Sequence, residues 1–273
     1  MEIKISNLSK KFGSKTVLDN LNIEIQTGMF GLLGRNGAGK TTLMRIITTL
    51  LTKSEGDITV CGIPVENAKE IRRMIGYLPQ DFSMYPNMTV YEVMDYLGVL
   101  SGMSKKQRQQ IIPKLLDKVN LLKFKKVRVK ALSGGMKRRL GIAQAIMHSP
   151  KVLIVDEPTA GLDPEERIRI RNLLSEIAKD RIVILSTHIV SDIEATCENI
   201  GILDKGKLIY KGTTQNLAKL AEGMVYEITV SYKELDRFIE KYKVISMISQ
   251  GSSTTLRILT DNNPFDNAFI CQP

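Results

Sequence analysis

The sequence contains no hydrophobic run close to the roughly 18–20 residues that a helix needs to cross a bilayer. Its opening residues, MEIKISNLSKKFG, also lack the apolar core of a secretion signal, so we expect the chain to stay in the cytoplasm. Cysteine is scarce as well. The three cysteines, Cys61, Cys197 and Cys271, are not spaced as metal ligands, which predicts reduced thiols rather than a metal site.

Aromatic residues are few, at 5% of the chain, whereas positive charge is in excess, with a formal net charge of +10. Such an excess suits nucleic acid, anionic lipid or nucleotide phosphates. The densest basic segment, KFKKVRVK at residues 123–130, precedes Lys137, Arg138 and Arg139 and has no aromatic ladder. This argues against a groove for single-stranded nucleic acid. A solvated surface is the simplest interpretation, and a surface that faces lipid headgroups or an acidic partner is the alternative.

Strand and helix patterns alternate along most of the chain and predict an α/β fold around a parallel sheet. The segments IKISNLSKKF and TVLDNLNIEI alternate apolar and polar residues, which is typical of antiparallel strands. The short apolar runs MFGLLG, KVLIV and RIVIL instead suit buried parallel strands. Ligands of such sheets bind at the carboxyl ends of the strands. Polar residues follow the three runs at that edge: Lys40, Asp156 with Glu157, and His188.

Helical patterns dominate residues 88–148, where Thr89 and Ser133 are suited to cap helices. Beyond about residue 215 the pattern changes to strand, helix, strand and strand, without a cluster of reactive side chains. We therefore expect a first domain over residues 1–215, with an antiparallel β subdomain and a helical subdomain over about 88–148. A small α+β appendage is expected over residues 216–273, with its last stretch, DNNPFDNAFICQP, frayed.

Residues 34–41, GRNGAGKT, fit the pattern G-x-x-x-x-G-K-[ST] in full, between a buried strand and a helix. In such a loop the glycines let the backbone wrap phosphates with its N–H groups pointing inward. Lys40 would reach the β- and γ-phosphates, and the hydroxyl of Thr41 would bind Mg²⁺. The pattern alone does not separate kinases, GTPases and motor ATPases. The residues predicted to hold a nucleoside triphosphate are Gly34, Asn36, Gly37, Ala38, Gly39, Lys40, Thr41 and Thr42.

Two carboxylates follow the apolar run VLIV. Asp156 would hold Mg²⁺, usually through water, and Glu157 would act as the general base that polarises the attacking water. An acidic pair that caps a helix is the alternative for these two residues in isolation. Their position after a buried strand, in a chain that also has a phosphate-binding loop, favours the catalytic interpretation.

Together with further motifs, the sequence over about residues 1–215 resembles the ATP-binding cassette (ABC) ATPases, an α/β family with a P-loop NTPase core. The further motifs are LSGGM at 132–136, GYLPQ at 76–80, AGLD at 160–163 and STH at 186–188. The resemblance implies ATP and Mg²⁺ as ligands, with Gln80 contacting the metal and water and signalling to membrane subunits. It also implies that His188 contacts the γ-phosphate and that Phe12 stacks on adenine.

The resemblance further implies a dimer. The signature LSGGM would close over ATP held by a second copy, with Ser133, Gly134 and Gly135 at the partner's γ-phosphate and Asp163 at the seam. Two copies would sandwich two ATP molecules about a two-fold axis. The N–H groups at the start of a helix suit this task, because they donate to phosphate and help to exclude water. A homodimer is the simpler expectation, and a heterodimer with a sister cassette is the alternative.

Two classes of function remain: an energy-coupling subunit of a membrane transporter, or a soluble ABC ATPase that acts on ribosomes or nucleic acid. Soluble translation factors of the family carry two tandem cassettes and DNA-repair members carry long coiled coils, and this sequence shows neither. The resemblance therefore favours a peripheral subunit on the inner face of the cell membrane. It would drive a separate polytopic membrane subunit without contacting cargo or nucleic acid. The segment LSGGMKRRLGIAQAIMHSPKVLIVDEPTAGLDP resembles drug- and antibiotic-type exporters, so we expect export.

Overall fold

The computed structural model of the protein describes residues 1–260 and 269–270. They form two compact units that divide between Lys211 and Gly212, close to the boundary expected after residue 215. Within the described residues, no helix combines the length and the apolar character that a membrane span requires.

The first unit begins with paired strands and then alternates strands with helices. Its strands are β1 (Glu2–Phe12), β2 (Lys15–Gln26), β3 (Gly28–Leu33), β4 (Glu55–Val60), β5 (Ile63–Pro64), β6 (Ile75–Leu78), β7 (Val152–Asp156), β8 (Ile182–Thr187), β9 (Asn199–Asp204) and β10 (Lys207–Thr213). Its helices are α1 (Lys40–Ile47), α2 (Ala68–Met74), α3 (Val90–Leu100), α4 (Lys105–Lys118), α5 (Gly134–Ala145), α6 (Pro164–Ile177) and α7 (Val190–Glu194). Two short 3₁₀ turns, Leu122–Phe124 and Val129–Ala131, lie between α4 and α5.

A six-stranded sheet in the order β10-β9-β3-β8-β7-β6 forms the centre of the first unit. Five of its strands pair in parallel with their neighbours, namely β9, β3, β8, β7 and β6. Every residue of β7 and β8 is buried, which explains why both strands are continuous apolar runs in the sequence. The predicted α/β fold with a parallel sheet is confirmed, and the carboxyl ends of β3, β8 and β7 lie side by side.

A four-stranded antiparallel sheet, β2-β1-β4-β5, forms a second layer of this unit. Its buried side chains alternate along the strands, as in Ile3 and Ile5 of β1, and they share one core with Leu43 and Met44 of α1. The alternation in the sequence thus predicted the antiparallel pair of β1 and β2 correctly. Because the two sheets and α1 share this core, the first turn of α1 is held in a fixed position.

Helices α3, α4 and α5 lie within residues 88–148, where helices were expected. Thr89 caps α3 in a capping box with Glu92. At the start of α5, the Ser133 hydroxyl accepts a hydrogen bond from the Met136 N–H at 3.2 Å. Both expected caps are therefore observed.

The second unit contains a smaller sheet in the order β12-β13-β11-β14. Its strands are β11 (Val225–Ser231), β12 (Lys243–Gln250), β13 (Ser253–Leu259) and β14 (Phe269–Ile270), and its helices are α8 (Thr214–Lys219) and α9 (Leu235–Lys241). The expected order of strand, helix, strand and strand corresponds to β11, α9, β12 and β13. The expected fraying of the last residues falls on 261–268 and 271–273, outside the described residues. It is wrong for Phe269–Ile270, which pair with β11.

Candidate functional site

The phosphate-binding loop runs from the end of β3 to the start of α1. Gly37 and Gly39 have φ angles of 82° and 108°, in the left-handed region that favours glycine. A Cβ atom on Gly34 would lie 2.5 Å from the Leu203 carbonyl oxygen, so this position also requires glycine. No side chain caps α1, which leaves the first N–H groups of the helix available to an anion.

The loop lines a cleft of about 540 Å³. Gln80, from the segment after β6, lines it as well, together with Asp156 and Glu157 at the end of β7. The cleft thus brings together residues from three separate motifs of the sequence. Of the residues predicted to hold the nucleotide, the cleft is lined by Asn36, Gly37, Ala38, Gly39, Lys40, Thr41 and Thr42.

The electrostatics of the cleft suit a polyphosphate. Four cationic side chains line it, against the two carboxylates of Asp156 and Glu157, and this excess of positive charge attracts anions. The four cations are Lys15, Arg35, Lys40 and Lys205.

Lys40 is buried and lines the cleft. Its ammonium group donates to the Gly34 carbonyl oxygen at 2.6 Å and lies 3.5 Å from a carboxylate oxygen of Glu157. A buried charge requires partners of this kind, because unpaired charges are costly away from water. Lys40 and Glu157, predicted from separate motifs, therefore form a direct ion pair.

Asp156 is completely buried where β7 ends. Its carboxylate oxygens accept hydrogen bonds from the Thr41 hydroxyl at 2.7 Å and from the Ser186 hydroxyl at 2.9 Å. Burial raises the pKa of the Asp156 carboxyl, and the two hydrogen bonds oppose that rise only in part. Oxygen ligands of this type are those that Mg²⁺ prefers, so the Thr41–Asp156 pair fits the predicted metal site.

The raised pKa of Asp156 predicts that this carboxylate lowers the stability of the protein at neutral pH. A carboxyl with a raised pKa binds more protons in the folded than in the unfolded chain, so the free energy of unfolding falls as pH rises above the ordinary Asp pKa. Without Mg²⁺ and nucleotide, we expect Asp156→Asn to raise the melting temperature at pH 7 by roughly 2–4 °C.

The difference in melting temperature should shrink toward pH 4, where the carboxyl of the folded chain is increasingly protonated. Thermal unfolding at both pH values measures it, with Asp117→Asn at an exposed position of α4 as the control. An Asp156→Asn variant that is destabilised equally at both pH values would contradict a raised pKa of the Asp156 carboxyl.

Glu157 has an unusual backbone conformation. Its φ angle is 49°, in the left-handed region that non-glycine residues rarely adopt. The Glu157 N–H donates to the Ser186 carbonyl oxygen at 2.9 Å, and its carboxylate lies 3.0 Å from Nδ1 of the half-exposed His188. Strain of this kind persists only where the surroundings enforce it, and it is common at functional sites. The carboxylate is thus fixed between Lys40 and His188.

The remaining predicted residues do not line the main cleft, although Gly34 and His188 contact Lys40 and Glu157, which do. Phe12 is 49% exposed, with its ring centre 4.8 Å from the ammonium group of Lys10. Asp163 caps α6 by accepting a hydrogen bond from the Glu166 N–H at 2.9 Å. Gly134 instead lines a second cleft of about 400 Å³ that also includes Gln80. The predicted site residues that do not line the main cleft are Phe12, Gly34, Ser133, Gly134, Gly135, Asp163 and His188.

Sequence reasoning missed several residues that line the cleft or contact a residue that lines it. Lys15 lies at the start of β2, and Lys205 lies at the tip of the β9–β10 hairpin, in segments without a recognisable motif. Ser186 was also missed, although it belongs to the segment STH at the end of a buried strand. That position was the available signal, because the ends of neighbouring parallel strands meet at one edge.

Comparisons with known proteins agree with this geometry. Residues 18–160 match the family described as ABC transporter. The linearmycin resistance ATP-binding protein LnrL of Bacillus subtilis (strain 168) is 35% identical over 84% of this chain and 75% of its own length. The Nod factor export ATP-binding protein I of Cupriavidus metallidurans is 38% identical over 79% of this chain and 72% of its own length.

A solved structure shows the same fold. It is a dimeric ATP-binding cassette in a post-hydrolysis state, bound to ADP and Pi. It has a TM-score of 0.70 and 26% sequence identity to this chain, over 77% of this chain and 98% of its own length. The family match spans the phosphate-binding loop and both carboxylates, and it covers more than half of the 273 residues. The chain therefore belongs to the ABC transporter family, as one of its ATP-binding subunits with ATPase activity.

Proposed function

We propose that this chain hydrolyses ATP to drive a separate polytopic membrane subunit that exports its cargo from the inner face of the cell membrane. The observation that carries the proposal is one cleft in which the phosphate-binding loop, the Thr41–Asp156 pair and Glu157 meet. The names of the linearmycin resistance and Nod factor export relatives support export as the direction. Each of these relatives is named as the ATP-binding protein of its system, which supports a membrane path in another subunit.

In the proposed reaction, ATP lies along the loop and its phosphates replace Glu157 as the partner of Lys40. Thr41, Asp156 and Gln80 would hold Mg²⁺, which neutralises charge on the phosphates when it is bound. The released Glu157 carboxylate would accept a proton from water as the water oxygen attacks the γ-phosphorus and the bond to ADP breaks. His188 would orient that carboxylate through its contact at 3.0 Å.

In the proposed dimer, the start of α5 supplies hydrogen-bond donors to ATP held by a second copy. The Ser133 hydroxyl accepts from the Met136 N–H, so its own proton remains available to a phosphate oxygen. Gly134 and Gly135 open the helix without side chains that would block a close approach. The dimeric state of the related ATP-binding cassette supports this arrangement. ATP would then join two copies, and hydrolysis would release them.

Export can be tested without knowing the cargo. Cells that carry either the intact chain or the Glu157→Gln variant are compared by untargeted mass spectrometry of the medium and of the cell contents. We expect at least one small molecule to leave the cells only with the intact chain and to accumulate inside cells with the variant. A molecule that disappears from the medium only with the intact chain would instead show import.

A further inference from the structure

The densest basic segment of the sequence forms an exposed turn that does not line the nucleotide cleft. We name residues 123–130, KFKKVRVK, the basic turn. It contains five Lys or Arg residues and no carboxylate, and the sequence has no Asp or Glu between Asp117 and Asp156. All five cationic residues are exposed. The turn therefore presents a concentrated positive charge to solvent.

The backbone of the basic turn is held in place by the start of α3. The Tyr91 N–H donates to the Lys125 carbonyl oxygen at 2.9 Å, and the Val90 N–H donates to the Val127 carbonyl oxygen at 3.0 Å. Val129, within the turn, is buried in the core. Backbone groups that are bonded in this way keep the turn ordered. The lysines thus extend from an ordered surface and not from a charged tail without fixed structure.

Within the described residues, three lysine side chains of the basic turn make no contact that stabilises the fold. Those of Lys123, Lys125 and Lys126 make no ion pair or hydrogen bond to any residue that the structure describes. Lys118, just before the turn, instead pairs with Glu176 at 3.1 Å. The charges of these three lysines are therefore available to a partner.

Phe124 stands among these lysines with 39% of its surface exposed. Leaving an aromatic ring in water forgoes the free energy of burial, which a partner with an apolar layer would recover. Cations that surround an aromatic ring are typical of surfaces that lie at the headgroup level of a bilayer. The composition of the turn thus suits a partner that is anionic outside and apolar just beneath.

We propose that the basic turn binds the anionic headgroups of a lipid bilayer, with the ring of Phe124 inserted among them. Single-stranded nucleic acid is the competing polyanion, but its binding surfaces use several stacked aromatic rings and the turn has one. The inference rests on the proposed function for the presence of a membrane beside the chain. It adds a direct contact with lipid that does not depend on a membrane subunit.

The first test uses a fluorescent reporter in the turn. The chain contains no tryptophan, so Phe124→Trp in the full chain places its single tryptophan at this position, and excitation at long wavelength avoids the eight tyrosines. With vesicles of phosphatidylcholine and phosphatidylserine, we expect its emission to shift to shorter wavelength, and with phosphatidylcholine alone we expect no shift. Tyr232→Trp, at a position that is 72% exposed in the second unit, is the control and should not shift. An unshifted Phe124→Trp emission with anionic vesicles would overturn the proposal.

The second test separates the turn from the overall charge. The triple variant Lys123→Gln, Lys125→Gln and Lys126→Gln lowers the net charge from +10 to +7, since three positive charges are removed. At about fivefold per lysine, it should weaken binding to anionic vesicles roughly 100-fold. The control is a second triple variant with the same net charge, in which exposed lysines outside the turn are replaced: Lys4→Gln, Lys69→Gln and Lys179→Gln. Its affinity for anionic vesicles should fall less than roughly threefold.

Equal losses in the two triple variants would show that net charge alone drives binding, and would overturn the proposal. Single-stranded RNA that binds the turn more tightly than anionic vesicles at the same salt would also overturn it, in favour of nucleic acid. The vesicles contain no membrane subunit, and ATP hydrolysis without vesicles should be the same in both triple variants and in the unmodified chain. A failure of the lipid contact is thus distinguishable from a failure of the proposed function.

Discussion

Replacing Glu157 by Gln should lower the rate of ATP hydrolysis by roughly 10²–10⁴-fold while ATP binding is retained. Glutamine keeps the shape of the side chain, but its amide cannot accept a proton from the attacking water. The carboxylate is buried just after β7 and lies 3.5 Å from the Lys40 ammonium group and 3.0 Å from the His188 ring. Release of phosphate at saturating Mg-ATP measures the loss.

The control is Glu70→Gln, which removes the same charge from an exposed position of α2 and should hydrolyse ATP at the normal rate. Normal turnover by Glu157→Gln would exclude Glu157 as the general base.

The Glu157→Gln variant should also accumulate as an ATP-bound dimer, because the ATP that joins two copies is no longer cleaved. Adding Ser133→Arg should return it to a monomer that still binds ATP, since a long cation at the start of α5 would block the partner's phosphate. Ser104→Arg is the matched control, because Ser104 caps α4 as Ser133 caps α5. Size-exclusion chromatography in Mg-ATP measures the dimer. A Glu157→Gln chain that stays monomeric, or a Ser133→Arg monomer that loses ATP, would count against the sandwich.

Replacing Lys40 by Ala should weaken ATP binding by at least roughly 100-fold, since charge-assisted contacts to phosphate are lost in a buried site. The substitution also leaves the Glu157 carboxylate in the cleft without the cation at 3.5 Å, so that it repels the phosphates. Calorimetric titration with Mg-ATP measures the affinity. Lys15→Ala, which removes a cation from the same cleft outside the phosphate-binding loop, should lose only a few-fold, roughly 1 kcal/mol.

A second substitution separates the two causes of weaker ATP binding, which are the lost contacts of Lys40 to phosphate and the repulsion by the Glu157 carboxylate. Glu157→Gln in the Lys40→Ala chain should recover part of the affinity, because the buried carboxylate is no longer charged. Thermal unfolding of each variant establishes that the chain is folded. A folded Lys40→Ala chain that binds Mg-ATP as tightly as the unmodified chain would show that the loop does not hold the phosphates.

Much of the fold was predictable because apolar patterns report burial directly. β7 and β8 are buried on both faces and appear as unbroken apolar runs, whereas β1 and β2 alternate. Element ends were less predictable. Helix α1, for example, ends at Ile47, where the Thr48 hydroxyl donates to the Met44 carbonyl oxygen at 2.8 Å and Thr49 has a left-handed φ angle of 60°. Such local competition does not appear in a hydrophobic pattern.

The candidate site was predictable where a motif fixes the backbone and unpredictable where the fold brings loops together. The glycines of the phosphate-binding loop are required by positive φ angles, which is why their spacing identifies the loop. The contact of Lys40 with Glu157 depends on side-chain positions, which the motifs do not specify. Lys205 reaches the cleft because the fold brings the β9–β10 hairpin, which is distant in sequence, next to the loop. The adenine contact expected of Phe12 and the seam expected of Asp163 stay predictions, since both concern molecules beyond the single chain.

The measurement that tests the central claim most directly is capture of the tagged Glu157→Gln chain from solubilised native membranes in Mg-ATP. The expected result is one polytopic membrane protein in stoichiometric amount, with less recovered when the chain carries Lys40→Ala. That protein would be the membrane subunit that the chain drives. Recovery of ribosomal proteins or DNA-bound factors without any membrane protein would contradict the account and place the chain among soluble ABC ATPases.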